Sequence, residues 1–319
     1  MNRNFINAIE AALQQDGDSA LKRITQILPL KIDAVRRRLQ GQIDFSLEEA
    51  VLIAKELNIS LDKVCIGSAY TTAPFNVNLI NVDKVPAENY YNILVDYIRM
   101  FDRIKDSDNT RLRSAYNIMP YSFFLDHDLI SKFHLYRWLY LVKAIDHKVT
   151  LSDYRMPARL RRIQRRFREA NHCIRSASFI LARNVFTNFA QDIQLFYELD
   201  LINEKERHKL KINLLNILKT IEGIALTGYY SSGTQVEIYL SNINLDASYT
   251  HFESEGFEMA HFRVFSVNGI ESEDPEICKQ SKMWIDSLQN YSTIITQSDA
   301  MSRSIYFNEQ KALIQKILE

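Results

Sequence analysis

Glycine and proline are scarce in this chain, eight and six among 319 residues. So few breakers favour long helices and speak against a turn-rich all-β fold. Cysteine is scarcer still: Cys65, Cys173 and Cys278 stand far apart, with no CxxC pair and no Cys/His cluster at metal-ligand spacing. That pattern reads as reduced structural thiols, with no metal expected. Net charge is missing too, because 39 basic residues meet 39 acidic ones. No global field draws the protein to nucleic acid, so any such affinity must be local. No apolar run approaches the roughly 18 residues of a membrane span, and MNRNFINAIEAAL is too polar for a signal peptide. The expectation is a cytoplasmic protein with no membrane partner. A glycine-rich phosphate loop, GxSxG and HExxH are all absent, so neither an enzyme nor a cofactor is expected. The seven histidines are scattered. His127 lies between Asp126 and Asp128, but neighbours in sequence point to different sides of a helix. His251 and His261 could face each other across one hairpin, without a third ligand.

The length predicts roughly two domains, three at most. Phe5, Ile9, Ala12 and Leu13 recur at helical spacing and predict a helix over 4–15. Ser19 is the candidate N-cap of a second helix, with Leu21, Ile24 and Leu28 inward and Pro29 at its end. A third helix is expected over Lys31–Gln40, with Val35 and Leu39 inward and Gly41 closing it. Ser46-Leu-Glu-Glu49 is a capping box. The helix it opens carries Leu47, Val51, Ala54 and Leu57 inward and ends at Asn58. Ser60 caps a short fifth helix, Leu61–Val64.

Residues 19–66 resemble the Cro- and lambda-repressor-like helix-turn-helix domains. FSLEEAVLIAKELNISLDKV is the most specific part of the match, and VRRRLQG matches the end of the recognition helix. The resemblance implies that Lys31–Gln40 enters the major groove of double-stranded DNA, and that the protein works as a homodimer. Carried over residue by residue, it places Lys31, Ile32, Asp33, Arg36 and Arg37 towards the groove, with Arg38 completing the basic run. Arginine can bridge guanine O6 and N7, and lysine suits phosphate. Three positions depart from the family. Thr25 stands in place of a small alanine, Pro29 in place of a glycine, and Ile32-Asp33 in place of polar uncharged residues. A helix-turn-helix that binds only protein is the alternative reading.

Residues 66–87 lose periodicity and read as a linker, with a short strand at Asn78–Val82. Tyr90, Leu94, Tyr97, Phe101 and Ile104 then form an apolar stripe, suited either to a dimer coiled coil or to a core helix. Helices are expected at 111–118, 126–146, 154–175, 182–198 and 203–226. The aromatics of the second (Phe133, Tyr136, Trp138, Tyr140) read as core, or as a ligand pocket. The helix at 154–175 carries Arg155, Arg159, Arg162 and Arg166 in one stripe. Between Leu151 and Phe186 nine arginines face two acids. Such density needs counter-charge: nucleic-acid phosphate, an anionic ligand, or the chain's own acids. Residues 246–276 supply eight acids against one base, Arg263, and an ion-pair interface with that segment is the favoured expectation.

Alternation in Gln235–Leu240, a hairpin at 249–267, a helix over 275–288, a strand over 292–296 and a terminal helix capped by Asn308 complete the chain. The expected fold is mainly α. A five-helix DNA-binding domain (1–67) and a linker (68–87) precede a helical dimerisation or regulatory region (88–228), then a small α+β domain with an antiparallel sheet (229–319). The expected function is sequence-specific transcriptional regulation, the signal being an unidentified effector sensed by the C-terminal region.

Overall fold

The computed structural model describes residues 2–14, 20–57, 59–61, 64, 75–78, 86–104, 107, 109–125, 127–264 and 267–319. The chain forms two compact units, 1–74 and 75–319.

Unit 1 contains α1 (Asn2–Gln14), α2 (Ala20–Ile27), α3 (Ile32–Leu39) and α4 (Leu47–Glu56). Phe5, Ile9, Leu13, Ile24, Leu28, Val35 and Ile53 meet in its core. The elbow between α2 and α3 shows how Pro29 is accommodated. The Leu30 N–H donates to the Leu28 carbonyl at 2.8 Å, a three-residue turn centred on Pro29. An inverse γ-turn needs negative φ at its centre, which the proline ring enforces. The elbow therefore needs no glycine. The Thr25 hydroxyl donates to the Leu21 carbonyl at 2.6 Å, so its polarity is satisfied within α2. The end of α3 is a Schellman motif: Gly41 adopts φ +72°, the Gly41 N–H donates to Arg38 O and the Gln42 N–H to Arg37 O, both at 2.9 Å.

The capping box of α4 forms: the Glu49 N–H donates to Ser46 Oγ, and the Ser46 N–H donates to the Glu49 carboxylate. The inward face of this helix differs from expectation. Leu47 is 78% exposed and Val51 46%, while Ile53 and Ala54 are buried and Ala50 and Leu57 pack beside them. The proposed caps Ser19 and Asn58, and residues 62–63 of the fifth helix, lie outside the described residues. Leu61 and Val64 are helical.

Unit 2 corrects the expected fold class. It is built on one eight-stranded mixed sheet rather than a helical region followed by a small antiparallel sheet. Its strands are β1 (Asn76–Asn78), β2 (Arg111–Tyr116), β3 (Ser176–Leu181), β4 (Gln235–Ser241), β5 (Tyr249–Ser254), β6 (Phe257–Val264), β7 (Asn268–Ser272) and β8 (Ser292–Ile294). Their order is β1-β7-β6-β5-β2-β3-β4-β8. The pairs β2–β3 and β3–β4 are parallel and the others antiparallel. The span 111–118, expected as helix, is the strand beside which the sheet changes from parallel to antiparallel pairing. Strand β3 runs through the gap between two expected helices. Both strands are buried at their centres, with Ala115, Phe179 and Ile180 at 1% exposure or less, although Arg111 at the start of β2 is exposed. In β3 burial on both faces removes the alternation that marks a strand. A boundary near 228 would cut this sheet, since β2 and β3 pair with β5 and β4.

The helices are α5 (Pro86–Ile104), α6 (Tyr121–Phe124), α7 (Asp128–Leu141), α8 (Ala158–Asn171), α9 (Val185–Glu198), α10 (Glu204–Thr227), α11 (Pro275–Asn290) and α12 (Ala300–Ile317). Helix α12 is capped by Asp299, whose carboxylate accepts from the Ser302 N–H, so Asn308 lies mid-helix instead of capping it. The aromatic stripe of α5 is core: Tyr90, Leu94 and Phe101 are buried, and α5 packs along α8. Leu112, Phe252 and Met259 stand side by side in the sheet register and share a cavity wall with α5. The next row, Arg113, His251 and Ala260, faces the other way, towards Lys282 and Asp286 of α11. His251 therefore pairs with Ala260, and the two histidines point to opposite faces of the sheet. The aromatics Phe133, Tyr136 and Trp138 of α7 are fully buried. Among the described residues no helix is long and apolar enough to cross a membrane.

Candidate nucleic-acid interface

Helix α3 packs on α2 through Val35, which is fully buried. An eight-residue helix with one inner stripe leaves its opposite side to solvent. Lys31, at the N-cap position, is exposed, as is Arg37. Ile32 is 50% exposed, and the Asp33 and Arg36 side chains are 81% and 52% exposed. These five residues share one outer surface around the start and middle of α3. Arg36 Nη1 donates to Asp33 Oδ1 at 3.0 Å. An exposed pair one turn apart is weak, so the guanidinium can exchange this partner for a nucleobase or phosphate. It also gives Asp33 a local role, neutralising part of the basic surface.

Arg38 belongs elsewhere. Its side chain is only 16% exposed. Nε and Nη2 donate to the two Glu49 carboxylate oxygens at 2.8 and 2.9 Å, a bidentate pair. This joins the end of α3 to the start of α4. Burial disfavours the Glu49 anion, but the Arg38 hydrogen bond, the Ser46 N–H and the Arg38 charge together hold its carboxyl below the usual glutamate value. Glu49 thus caps α4 and anchors α3 at once. The exposed set on the outer surface of α3 contracts to Lys31, Ile32, Asp33, Arg36 and Arg37, with Arg38 as its mount. The capping box pointed to Glu49 in the sequence, but nothing there pointed to its second partner.

The second basic surface in unit 2 is real in exposure and altered in partners. Arg155, Arg159, Arg162 and Arg166 are all exposed. Arg159 pairs with Glu88 and Arg166 with Asp102 at 3.3 Å, both acids on α5. Arg159 also lies over the Tyr91 ring at 5.6 Å. For these two arginines the counter-charge is internal, and among the described residues it comes from 86–104 and not from 246–276. The acids of that later segment serve other ends. Glu253 pairs with Arg113 at 2.6 Å and Lys282 at 3.1 Å. Asp274 caps α11.

No family model, curated protein or solved structure matches the chain.

Proposed function

We propose that unit 1 reads double-stranded DNA through the outer surface of α3, and that the protein is a homodimeric, sequence-specific transcriptional regulator. The observation that carries this reading is the division of labour along VRRR: Val35 faces the core, Arg38 locks α3 to α4, and Arg36 and Arg37 face solvent. A rigid mount with two solvated guanidinium groups suits base readout, where positioning decides specificity. Two copies would place their α3 helices one helical turn of DNA apart, and a signal acting on unit 2 would change that spacing.

A reading from another class is favoured by a different feature. Leu47, Val51 and Leu52 are exposed on α4, which suits a protein-docking module. A salt titration separates the two. DNA binding through phosphate contacts weakens linearly on a log–log scale, with a slope of roughly −0.9 per neutralised phosphate. The DNA reading expects such a slope for a random-sequence duplex. Binding that ignores salt, or no binding at low salt, would overturn it in favour of protein docking.

A further inference from the structure

Unit 2 contains a partly open cavity of about 70 Å³ between α5, α6, α8 and strands β2, β5 and β6. A water needs ~10–15 Å³ of such space, so the cavity has room for a compact organic molecule. Its wall is aromatic and apolar over most of its area, with Tyr90, Tyr97, Phe101, Phe252 and Met259 among the lining residues. Among the described residues one lining residue, Arg263, carries a formal charge and no carboxylate lines the space, although the Glu271 charge reaches the lining Tyr97 from the neighbouring strand.

Arg263 is a cation in unusual surroundings. Its guanidinium carbon lies 4.0 Å from the centre of the Tyr121 ring. Its Nη1 is buried without a hydrogen-bond partner among the described residues. None of the ion pairs among those residues includes it. The π face of Tyr121 offsets part of the charge, but the buried Nη1 of this half-buried side chain still lacks an acceptor, which an anion would supply. Asn171 lines the same cavity, and its buried amide oxygen also lacks a partner. Buried polar groups in folded proteins are nearly always satisfied. Two orphans around one cavity mark the place of a missing partner. His261, beside them, is held neutral by burial and by the Arg263 charge, its pKa pushed down to about 3. It does not compete as a second cation. Gly269 permits this arrangement, because a Cβ there would clash with His261 Nε2.

We infer that this cavity is a binding site for a compact organic anion with an apolar or aromatic body, its anionic end paired with Arg263. The aromatic wall takes the body, and the Asn171 oxygen accepts from a hydroxyl or amino group that the ligand carries. The site rests on unit 2 alone and stands whether or not unit 1 binds DNA.

The probe is 4-fluorobenzoate, titrated into the full chain and followed by ¹⁹F NMR, with 4-fluorobenzamide as its uncharged counterpart. The acid is expected to bind saturably and at least about tenfold more tightly than the amide, as a charge-assisted hydrogen bond implies. Arg263→Met is expected to remove that preference. Equal binding of acid and amide, acid binding that survives in R263M, or no saturable binding at millimolar acid would each overturn the site. The acid–amide comparison on the unaltered chain decides the matter even where the variant fails to fold.

Discussion

The two units are held together by signals of different range. Unit 1 is fixed by short-range chemistry: the Ser46–Glu49 capping box, the Gly41 Schellman turn, and the γ-turn at Pro29 each close within six residues. Unit 2 is fixed by long-range pairing. Strand β2 at 111–116 finds β3 at 176–181 and β5 at 249–253. Its Arg113 finds Glu253 across the sheet. Local signals position a helix face whatever happens elsewhere in the chain. Long-range pairing makes one cooperative core, and it is this core that contains the cavity.

The sharpest test of that contrast is a large hole in the centre of the sheet. Phe179 is fully buried on β3. Phe179→Ala should cost about 3–5 kcal/mol, all of it in the unfolding transition of unit 2, measured by urea denaturation with hydrogen exchange to assign each unit. An equal shift in unit 1 would mean that the two units fold as one.

Acid separates them next. All seven histidines lie at 127–261, so unit 1 has none. Burial holds His251 neutral, with some help from the Arg113 charge, its pKa lowered from 6.5 to about 4. His134 is lowered as well, by burial and then by the Arg137 and Arg263 charges. A depressed histidine pKa means that the unfolded chain takes up protons first. Stability is therefore full above about pH 6.5 and lost as pH falls towards 4, by roughly 3 kcal/mol for His251 alone. Unit 2 should unfold progressively over that window. Unit 1 should hold until protonation of Glu49, below the usual glutamate range, breaks the Arg38 pair. Thermal melts from pH 7 down to about pH 2.5 read both, and a unit 1 that melts first would contradict the assignment.

Within unit 1 the effects are smaller. Arg38→Ala leaves a mostly buried Glu49 without its cation and should cost about 2 kcal/mol, allowing for its partial exposure. Ser46→Ala removes one cap acceptor and should cost about 1 kcal/mol. Arg36→Ala with Arg37→Ala touches only exposed groups and should change stability by about 0.5 kcal/mol or less. An Arg37→Ala loss as large as that of Arg38→Ala would erase the distinction between mount and reading surface.

The same difference in range explains what could be read from the sequence. The Ser46–Glu49 capping box and the Gly41 C-cap of unit 1 are legible because each needs only its neighbours, whereas the γ-turn at Pro29 is not read from the sequence and Ser19 and Asn58 lie outside the described residues. The exposure of Leu47 and Val51 was not: α4 repeats apolar residues on two stripes, and only the position of α2 selects Ile53 and Ala54 as the inner one. In unit 2 the hairpin at Ser254–Gly256 was visible as a local turn. Strand β3 is not, because its Phe179-Ile180-Leu181 run is buried on both faces and carries no alternation, and the alternation of β2 in RLRSAY spans too few residues to separate strand from helix. The Arg159 and Arg166 partners were missed because charge totals along a segment cannot show which helix lies alongside. Arg263 stood out in sequence merely as the one base in an acidic stretch. Its significance depends on what surrounds it in space: an aromatic wall, Tyr121 and, among the described residues, no lining carboxylate.

The central proposal, that α3 reads DNA, is met most directly by selection from a pool of random duplexes. The unaltered chain should enrich a two-fold symmetric motif with half-sites about one helical turn apart, and the Arg36→Ala, Arg37→Ala double variant, equally stable, should enrich none. Enrichment of the same motif by the variant, or of no motif by the unaltered chain, would contradict it.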